Sequence, residues 1–172
     1  DIAVATTGNS SMFGDLTGKR YIGGLGSGIA SATRGVFAGG HTGSGAVDII
    51  EYVTFSTKSK ATDFGNLTST MYAMGAASNS TRGIAFGGHS GSAATNVIQY
   101  VTIASAGNAT DFGDLGGTSE EGMALANTTR GVHHRASSSN VMEYVTIAST
   151  GNATDFGDTI TNLQRAGAVA SN

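Results

Sequence analysis

Two short phrases recur along the chain at nearly constant spacing. A phrase that begins with Thr-Arg-Gly occurs three times at steps of 48 residues, and a phrase Ala-Thr-Asp-Phe-Gly occurs three times after these copies. A weaker copy of the second phrase, Ser11-Met12-Phe13-Gly14-Asp15, stands near the start. Repeats of about this length indicate that one supersecondary unit is reused, as in a solenoid, a propeller or an array. The full copies are Thr33-Arg34-Gly35-Val36, Thr81-Arg82-Gly83-Ile84, Thr129-Arg130-Gly131-Val132, Ala61-Thr62-Asp63-Phe64-Gly65, Ala109-Thr110-Asp111-Phe112-Gly113 and Ala153-Thr154-Asp155-Phe156-Gly157.

The composition predicts an all-β fold. The 172 residues include 27 glycines, with abundant Ser, Thr, Ala and Asn and no proline or tryptophan. Gly and Asn supply tight turns, and so few helix-favouring residues argue against a helical protein. Apolar residues make up 39% of the chain and recur regularly, so a disordered chain is not expected either.

Charge and cysteine content exclude several function classes. Charged residues are only 12% and the net charge is −3, so neither nucleic acid nor an anionic membrane surface is expected as a partner. No apolar run approaches the roughly 18–20 residues of a membrane span. The chain has no cysteine, which excludes disulfides, thiolate metal sites and cysteine nucleophiles. We predict no cofactor and no metal.

The clearest unit, residues 71–115, predicts four short strands. They cover about 71–78, 81–86, 96–105 and 109–115, with turn signals between them. The third strand is apolar on both faces, which is typical of a strand covered on two sides. Four strands in about 48 residues fit a propeller blade packed between two neighbours, whereas a β-helix or a leucine-rich repeat needs shorter repeats.

The order of glycines and aromatics within two of the units resembles the kelch repeat. In that family a glycine pair ends the second strand, a Tyr lies on the third and a Trp on the fourth; here a Phe stands in place of the Trp. The third unit departs further, because Gly131-Val132-His133-His134-Arg135 lacks the glycine pair. The sequence is also similar to the Gly/Ser/Thr-rich kelch-like repeat proteins of marine tailed phages, in segments such as "TRGVFAGG" and "YVTIASTGNATDFGD". The residues that carry the kelch resemblance are Gly39, Gly40, Tyr52 and Phe64, then Gly87, Gly88, Tyr100 and Phe112.

The resemblance implies a β-propeller built from kelch-like four-stranded blades. We divide the single domain, 1–172, into a partial unit 1–16, full units 17–67, 68–115 and 116–158, and a partial unit 159–172. Three full units are fewer than the ~4–8 blades of a closed propeller. We therefore expect either a longer parent chain or a homo-oligomer that completes the ring, and we favour the longer chain.

Most repeated polar and aromatic residues are predicted to hold the units together. Each repeated Arg is expected to pair with a repeated Asp or with turn carbonyls, and each repeated Phe to fill the space between blades. A ring of the three arginines could instead bind an anionic glycan or phosphate. The predicted structural residues are Arg34, Arg82, Arg130, Asp63, Asp111, Asp155, Tyr52, Tyr100, Tyr144, Phe13, Phe64, Phe112, Phe156, Gly39, Gly40, Gly87 and Gly88.

Five residues near the ends of the second strands are candidates for binding. Histidines arranged around an axis could hold a metal, but no carboxylate or Cys is spaced with them. We expect them instead to line a polar loop surface. The candidates are His41, His89, His133, His134 and Arg135.

The units differ most in two connections. These are the loops between strands two and three and the crossovers from strand four to the next strand one, which open onto the same face of a blade. Variable loops on a rigid scaffold are common binding sites. The loops are 41–47, 89–95 and 133–139, and the crossovers are 17–28, 68–74 and 116–122.

These observations predict a non-enzymatic structural and binding module. Its partner would be a protein or a surface glycan, and its location a virion, such as a tail fibre that recognises a host surface, or the extracellular space. One alternative is a cellular kelch-type protein-interaction domain. A propeller enzyme that acts on glycans is less favoured, because no catalytic set interrupts the repeat.

Overall fold

The computed structural model describes residues 9–22, 28–136 and 139–163. This part of the chain is all-β, as predicted, and forms three four-stranded antiparallel sheets. In each sheet the strands are hydrogen-bonded in chain order, as in a meander. The strands are β1 (Gly28–Ala30), β2 (Arg34–Ala38), β3 (Val47–Thr54) and β4 (Thr62–Met71) in sheet I; β5 (Gly75–Ser78), β6 (Arg82–Phe86), β7 (Thr95–Thr102) and β8 (Thr110–Ser119) in sheet II; β9 (Met123–Ala126), β10 (Arg130–His134), β11 (Val141–Thr146) and β12 (Thr154–Asp158) in sheet III.

The described residues contain no helix long and apolar enough to cross a membrane. Three predictions concern residues outside the described ranges. They are residues 1–8 of the first partial unit, residues 23–27 of the predicted crossover 17–28, and residues 164–172 of the last partial unit.

The fourth strands are longer than the sequence predicted. β4 and β8 continue to Met71 and Ser119, so the unit boundaries after residues 67 and 115 fall inside these strands. The backbone N–H of Gly40 donates to the Met71 carbonyl at 2.8 Å, and that of Gly88 donates to the Ser119 carbonyl at 2.7 Å. These bonds extend the pairing of strand four beyond the apolar run from which its length was predicted. The observed crossovers are therefore shorter than predicted, and only residues 72–74 and 120–122 separate strand four from the next strand one.

The sheets pack face to face in chain order. A core cluster between sheets I and II, here called the first interface, includes the buried side chains of Ile50, Phe64 and Met74. The cluster between sheets II and III, the second interface, includes Ile98 and Phe112. The short first strands of neighbouring sheets also contact each other. Both faces of sheet II, which lies between the other two sheets, are therefore covered. This explains why its third strand, β7, is apolar on both sides.

The turn between strands three and four of each sheet lies over the fourth strand of the sheet before it. Residues Gly65 and Gly113 lie under these turns with φ of +143° and +144°. A Cβ at either position would collide with the carbonyl group of Gly107 or Gly151. Glycine is needed here both for the positive φ and for the close approach of two backbones.

The repeated arginines bind carbonyl groups of the next sheet. The Arg34 guanidinium donates to the carbonyls of Ile103 and Ala104 at 3.0 and 2.8 Å. Arg82 repeats this bond to Ile147 at 2.9 Å. The structure therefore shows the carbonyl alternative, and the expected pairing of these two arginines with Asp63 and Asp111 is not the arrangement found.

Aromatic contacts repeat in all three sheets. Each repeated Arg lies over a Tyr ring of its own sheet, at 4.4–4.6 Å from the ring centroid. Each of these Tyr rings meets the repeated Phe edge-on at 5.8–6.0 Å. Phe64 and Phe112 are 2% exposed, but Phe156 in sheet III is 50% exposed. The residues in these stacks are Arg34, Tyr52 and Phe64; Arg82, Tyr100 and Phe112; Arg130, Tyr144 and Phe156.

Candidate binding face

Loops and crossovers meet at one end of sheets I and II, as the sequence predicted for this pair of connections. His41, at the start of the loop after β2, forms a backbone bridge with Tyr21 through two 2.8 Å hydrogen bonds. His89 forms the same bridge with Tyr72 at 2.8 and 3.1 Å. The glycine pairs before each His, with φ between +58° and +122°, turn the chain from the second strand into this bridge.

Three rings form a continuous row across the two sheets. The Tyr72 ring lies between His41, at 5.2 Å edge-on, and His89, at 5.1 Å and tilted by 46°. All three residues are half-buried, and Tyr21 beside them is 70% exposed. We call these three rings, together with Tyr21, which is bridged to His41 through the backbone, the ring row. Sequence reasoning found the two histidines and missed the two tyrosines.

A signal for the tyrosines was present in the repeat. Tyr21 and Tyr72 are 51 residues apart, the same offset that separates Phe13 from Phe64. The two tyrosines therefore occupy equivalent places after strand four. Aligning the units through the weak first copy would have paired them.

Backbone bonds fix the orientation of both row histidines. The N–H of Gly43 donates to His41 Nδ1 and the N–H of Gly91 donates to His89 Nδ1, each at 3.0 Å. A neutral imidazole that accepts at Nδ1 carries its proton on Nε2. Each row histidine therefore presents an Nε2–H donor, and that of His89 lies 3.9 Å from a carboxylate oxygen of Glu120.

The loops around the ring row are short, uncharged and rich in hydroxyl groups. Each is closed by a backbone hydrogen bond of 3.0 Å, from Thr42 to Gly45 and from Ser90 to Ala93. Thr42, Ser44 and Ser92 are exposed. The face thus combines ring surfaces with many hydrogen-bonding groups and no charged side chain in either loop.

His133 and His134 are not part of this face. They were expected to line a polar loop surface, but both lie in β10 and are 0% and 4% exposed. His133 stacks on Phe86 with ring centroids 5.2 Å apart, and its Nε2 is 3.0 Å from Ser119 Oγ. The prediction was wrong because the third unit has histidines where the other units have core residues of the second strand.

Burial sets the charge state of these two histidines. Desolvation lowers the pKa of His133 to about 3, with smaller contributions from His134 and Arg135 in the same direction. Desolvation also lowers the pKa of His134, whose Nε2 is 3.2 Å from Thr159 Oγ1. Both are therefore neutral at pH 7 and act in packing.

Arg135, the fifth candidate, lies near a carboxylate in sheet III. Its Nη1 is 3.8 Å from Glu143, and its guanidinium occupies the space beside Gly117. Glu143 in turn accepts a 2.8 Å hydrogen bond from the Gly116 N–H. This cluster is at the second interface and separate from the ring row.

Sequence reasoning also missed a repeated buried polar position on the third strand. The residue at this position accepts a hydrogen bond from a backbone N–H that precedes its own sheet in the chain. The three donors are Thr17, Thr68 and Gly116, each of which directly follows a Leu. The signal was one polar residue directly before each repeated Tyr in an otherwise apolar strand. These residues are Glu51, Gln99 and Glu143.

The Glu51 site carries an ion pair with Arg20. The Arg20 Nη1 lies 2.5 Å from Glu51 Oε2, and both side chains are at most 2% exposed. Burial raises the pKa of Glu51, but hydrogen bonds from Thr17 and the Arg20 guanidinium outweigh it, and the pKa lies below its ordinary value. The pair joins the segment before sheet I to the sheet itself.

The described residues contain no group of three or more His, Cys, Asp and Glu side chains placed to hold a metal ion. No protein-family model matches the chain, and no curated protein matches its sequence.

Proposed function

We propose that the protein is a non-enzymatic structural and binding module whose sheets are kelch-like blades of a β-propeller. Three features support the propeller. The sheets are four-stranded meanders, they pack face to face in chain order, and their short first strands are neighbours. This is the arrangement expected when first strands surround an axis.

The ring row carries the functional part of the proposal. A half-buried Tyr72 held between two histidines offers ring surface and fixed N–H donors among exposed hydroxyls. Tyr, Ser and Gly are the residues that adaptable binding surfaces use, because they combine rigid contact area with hydrogen bonding. The partner that fits is a neutral surface glycan, since each sugar presents hydroxyl groups and an apolar C–H face.

The repeat-breaking polar groups support a non-enzymatic role. Catalytic residues are expected to break a repeat, and Arg20, Ser119 and His133 do so. All three are buried in packing contacts between sheets or segments. They stabilise the fold and do not face the ring row.

The chain would serve as a component of a phage virion or tail fibre that contacts a host surface. This assignment follows from the resemblance to kelch-like phage proteins together with the hydroxyl-rich face, whose two loops carry no charged side chain. In the alternative, a cellular kelch-type interaction domain, a peptide would bind near the axis and not on the ring row.

Binding to immobilised neutral and acidic oligosaccharides tests the proposal. We expect Tyr72→Ala to weaken binding to neutral glycans about ten-fold or more. Ser80→Ala, an exposed change in a turn at the other end of sheet II, should have no effect. Absence of glycan binding, or binding that Tyr72→Ala does not change, would contradict the proposal.

Two further measurements test the other parts of the proposal. Turnover of any bound glycan would favour the enzyme alternative. Co-sedimentation of the natural protein with phage particles tests the virion assignment.

A further inference from the structure

The turn between β7 and β8 of sheet II is hydrogen-bonded to the edge of β4, the fourth strand of sheet I. The Gly107 N–H donates to the Phe64 carbonyl at 2.6 Å, and the Ala109 N–H donates to the Asn66 carbonyl at 2.8 Å. The Asn66 N–H donates in return to Asn108 Oδ1 at 3.0 Å. Three hydrogen bonds thus join one strand edge to one Gly-Asn-Ala turn.

The contact between sheets II and III repeats this set. The Gly151 N–H donates to Phe112 at 2.7 Å and the Ala153 N–H to Asp114 at 2.8 Å. The Asp114 N–H donates to Asn152 Oδ1 at 3.0 Å. Because the same three bonds occur twice, the strand edge recognises a turn of defined sequence.

The equivalent edge of sheet III, formed by Phe156, Gly157 and Asp158, has no turn over it among the residues that the structure describes. Phe156 is 50% exposed, whereas its two counterparts are 2% exposed. A Cβ added to Gly157 meets no described atom within 4 Å, and its φ of +125° lies in the same positive region as the φ of Gly65 and Gly113. We call Phe156, Gly157 and Asp158 the open edge. Its glycine already has the positive φ of the two covered glycines.

A sequence that matches this turn stands near the start of the chain, and Asn9 and Ser10 are called the Asn9 turn after this match. Gly8-Asn9-Ser10 precedes Phe13 by the same spacing with which Gly107-Asn108-Ala109 precedes Phe112. Asn9 and Ser10 are exposed. The other turns of this type are already engaged, including the one before Ala61, whose N–H donates to the Asp15 carbonyl at 2.8 Å.

We propose that the open edge of one copy binds the Asn9 turn of a second copy, head to tail. The Asp158 N–H of the first copy would donate to Asn9 Oδ1 of the second, and the Ser10 N–H would donate to the Asp158 carbonyl. Phe156 would become buried, as Phe64 and Phe112 are. The contact is heterologous, so it builds a ring if the rotation closes and a filament if it does not. It depends on the sheet contacts alone and not on the glycan site.

Sedimentation over a range of concentrations tests the contact with two variants and a control. Phe156→Asp removes the apolar anchor, and Asn9→Leu removes the acceptor on the turn; both residues are exposed, so both variants should fold. Each should weaken self-association at least about ten-fold. Ser105→Asp adds the same charge as Phe156→Asp in an exposed turn and should associate like the parent chain.

Mixing the two variants separates this contact from a symmetric one. Phe156→Asp retains the Asn9 turn and Asn9→Leu retains the open edge, so the mixture should form one-to-one pairs that neither variant forms alone. A parent chain of 17.2 kDa at all concentrations would overturn the proposal. So would a mixture that stays monomeric.

Discussion

The two interfaces between sheets share their backbone hydrogen bonds but differ in which element supplies large side chains at four positions, each pair 48 residues apart. At these positions the large side chains of the first interface come from the end of strand four and the segment after it, and those of the second come from the second strands. A large residue on one element is thus exchanged for a large residue on another, which cores tolerate well. The positions are occupied by Met71, Met74, Ala38 and Ala85 in the first interface and by Ser119, Gly122, Phe86 and His133 in the second.

The exchange also changes the chemistry of the second interface. The His133 ring fills the space beside Gly75 and Gly122, where an added Cβ would collide with it. Ser119 supplies the hydrogen bond that a buried imidazole needs. The first interface has Gln99 where the second has Glu143. The comparison teaches that the backbone contacts fix how sheets dock, while the filling can be apolar or ionisable.

The largest expected effect is the loss of a filling side chain from the first interface. Met74 is 0% exposed, and Met74→Ala should lower the free energy of unfolding by about 2–5 kcal/mol, because the packed side chains around it can only partly fill the cavity that is left. Met12→Ala makes the same chemical change at a residue that is 82% exposed and should cost less than about 0.5 kcal/mol. Urea denaturation measures both. Equal losses would show that burial of Met74 does not stabilise the interface.

Acid should weaken the second interface selectively. The pKa of His133 is about 3 when folded and 6.5 when unfolded, so the unfolded chain binds the extra proton between these values. Stability is full above pH 6.5 and falls by about 1.4 kcal/mol per pH unit below it, or about 2 kcal/mol at pH 5. Urea denaturation at pH 7 and pH 5 measures this loss. The range from pH 5 to pH 7 lies above the range in which protonation of Glu51 changes the stability. The pKa of Glu51 is lowered by folding, so this residue affects the free energy of unfolding only below about pH 4.5.

His133→Gln provides the control for the pH effect. Glutamine can still bond to Ser119 but does not titrate, so most of the difference between pH 7 and pH 5 should disappear, and the remainder includes His134, whose pKa is also lowered by burial. At pH 5 the hydrogen-exchange protection factors, which correct for the slower intrinsic exchange at lower pH, should fall in sheet III before they fall in sheet I. An unchanged pH dependence in His133→Gln would place the sensitivity elsewhere.

The sequence was sufficient for the parts of the fold that repeat. Spacing and composition predicted four-stranded all-β units, because strand periodicity and turn residues are local signals. The sequence was not sufficient to predict the burial of His133. In sequence this residue stands near the end of a second strand, as the loop histidines do, and only the residue that faces it shows that it is buried. Ser119, which faces His133, is distant in sequence and belongs to a strand end that was predicted as a crossover.

The ring row was half predictable for a similar reason. His41 and His89 follow a glycine pair, which is a visible local pattern. Tyr72 joins them only because the backbone bridge to His89 places the crossover beside the loop. A contact between two connections of different strands has no periodicity of its own, so only alignment of the copies could have indicated it.

The smallest expected effect compares an arginine between sheets with its copy at the open end. Arg82→Met loses a 2.9 Å bond to the Ile147 carbonyl and the stack on Tyr100, which together should lower the free energy of unfolding by about 1.5–2.5 kcal/mol. Arg130→Met should cost only about 0.5–1 kcal/mol, because among the described residues no sheet follows sheet III and the stack on Tyr144 is what is lost. Thermal and urea denaturation at concentrations where the chain is monomeric measure the difference. Equal losses would mean that the stack on Tyr, and not the carbonyl bond, stabilises both positions, and that these arginines do not distinguish a covered sheet from an open one.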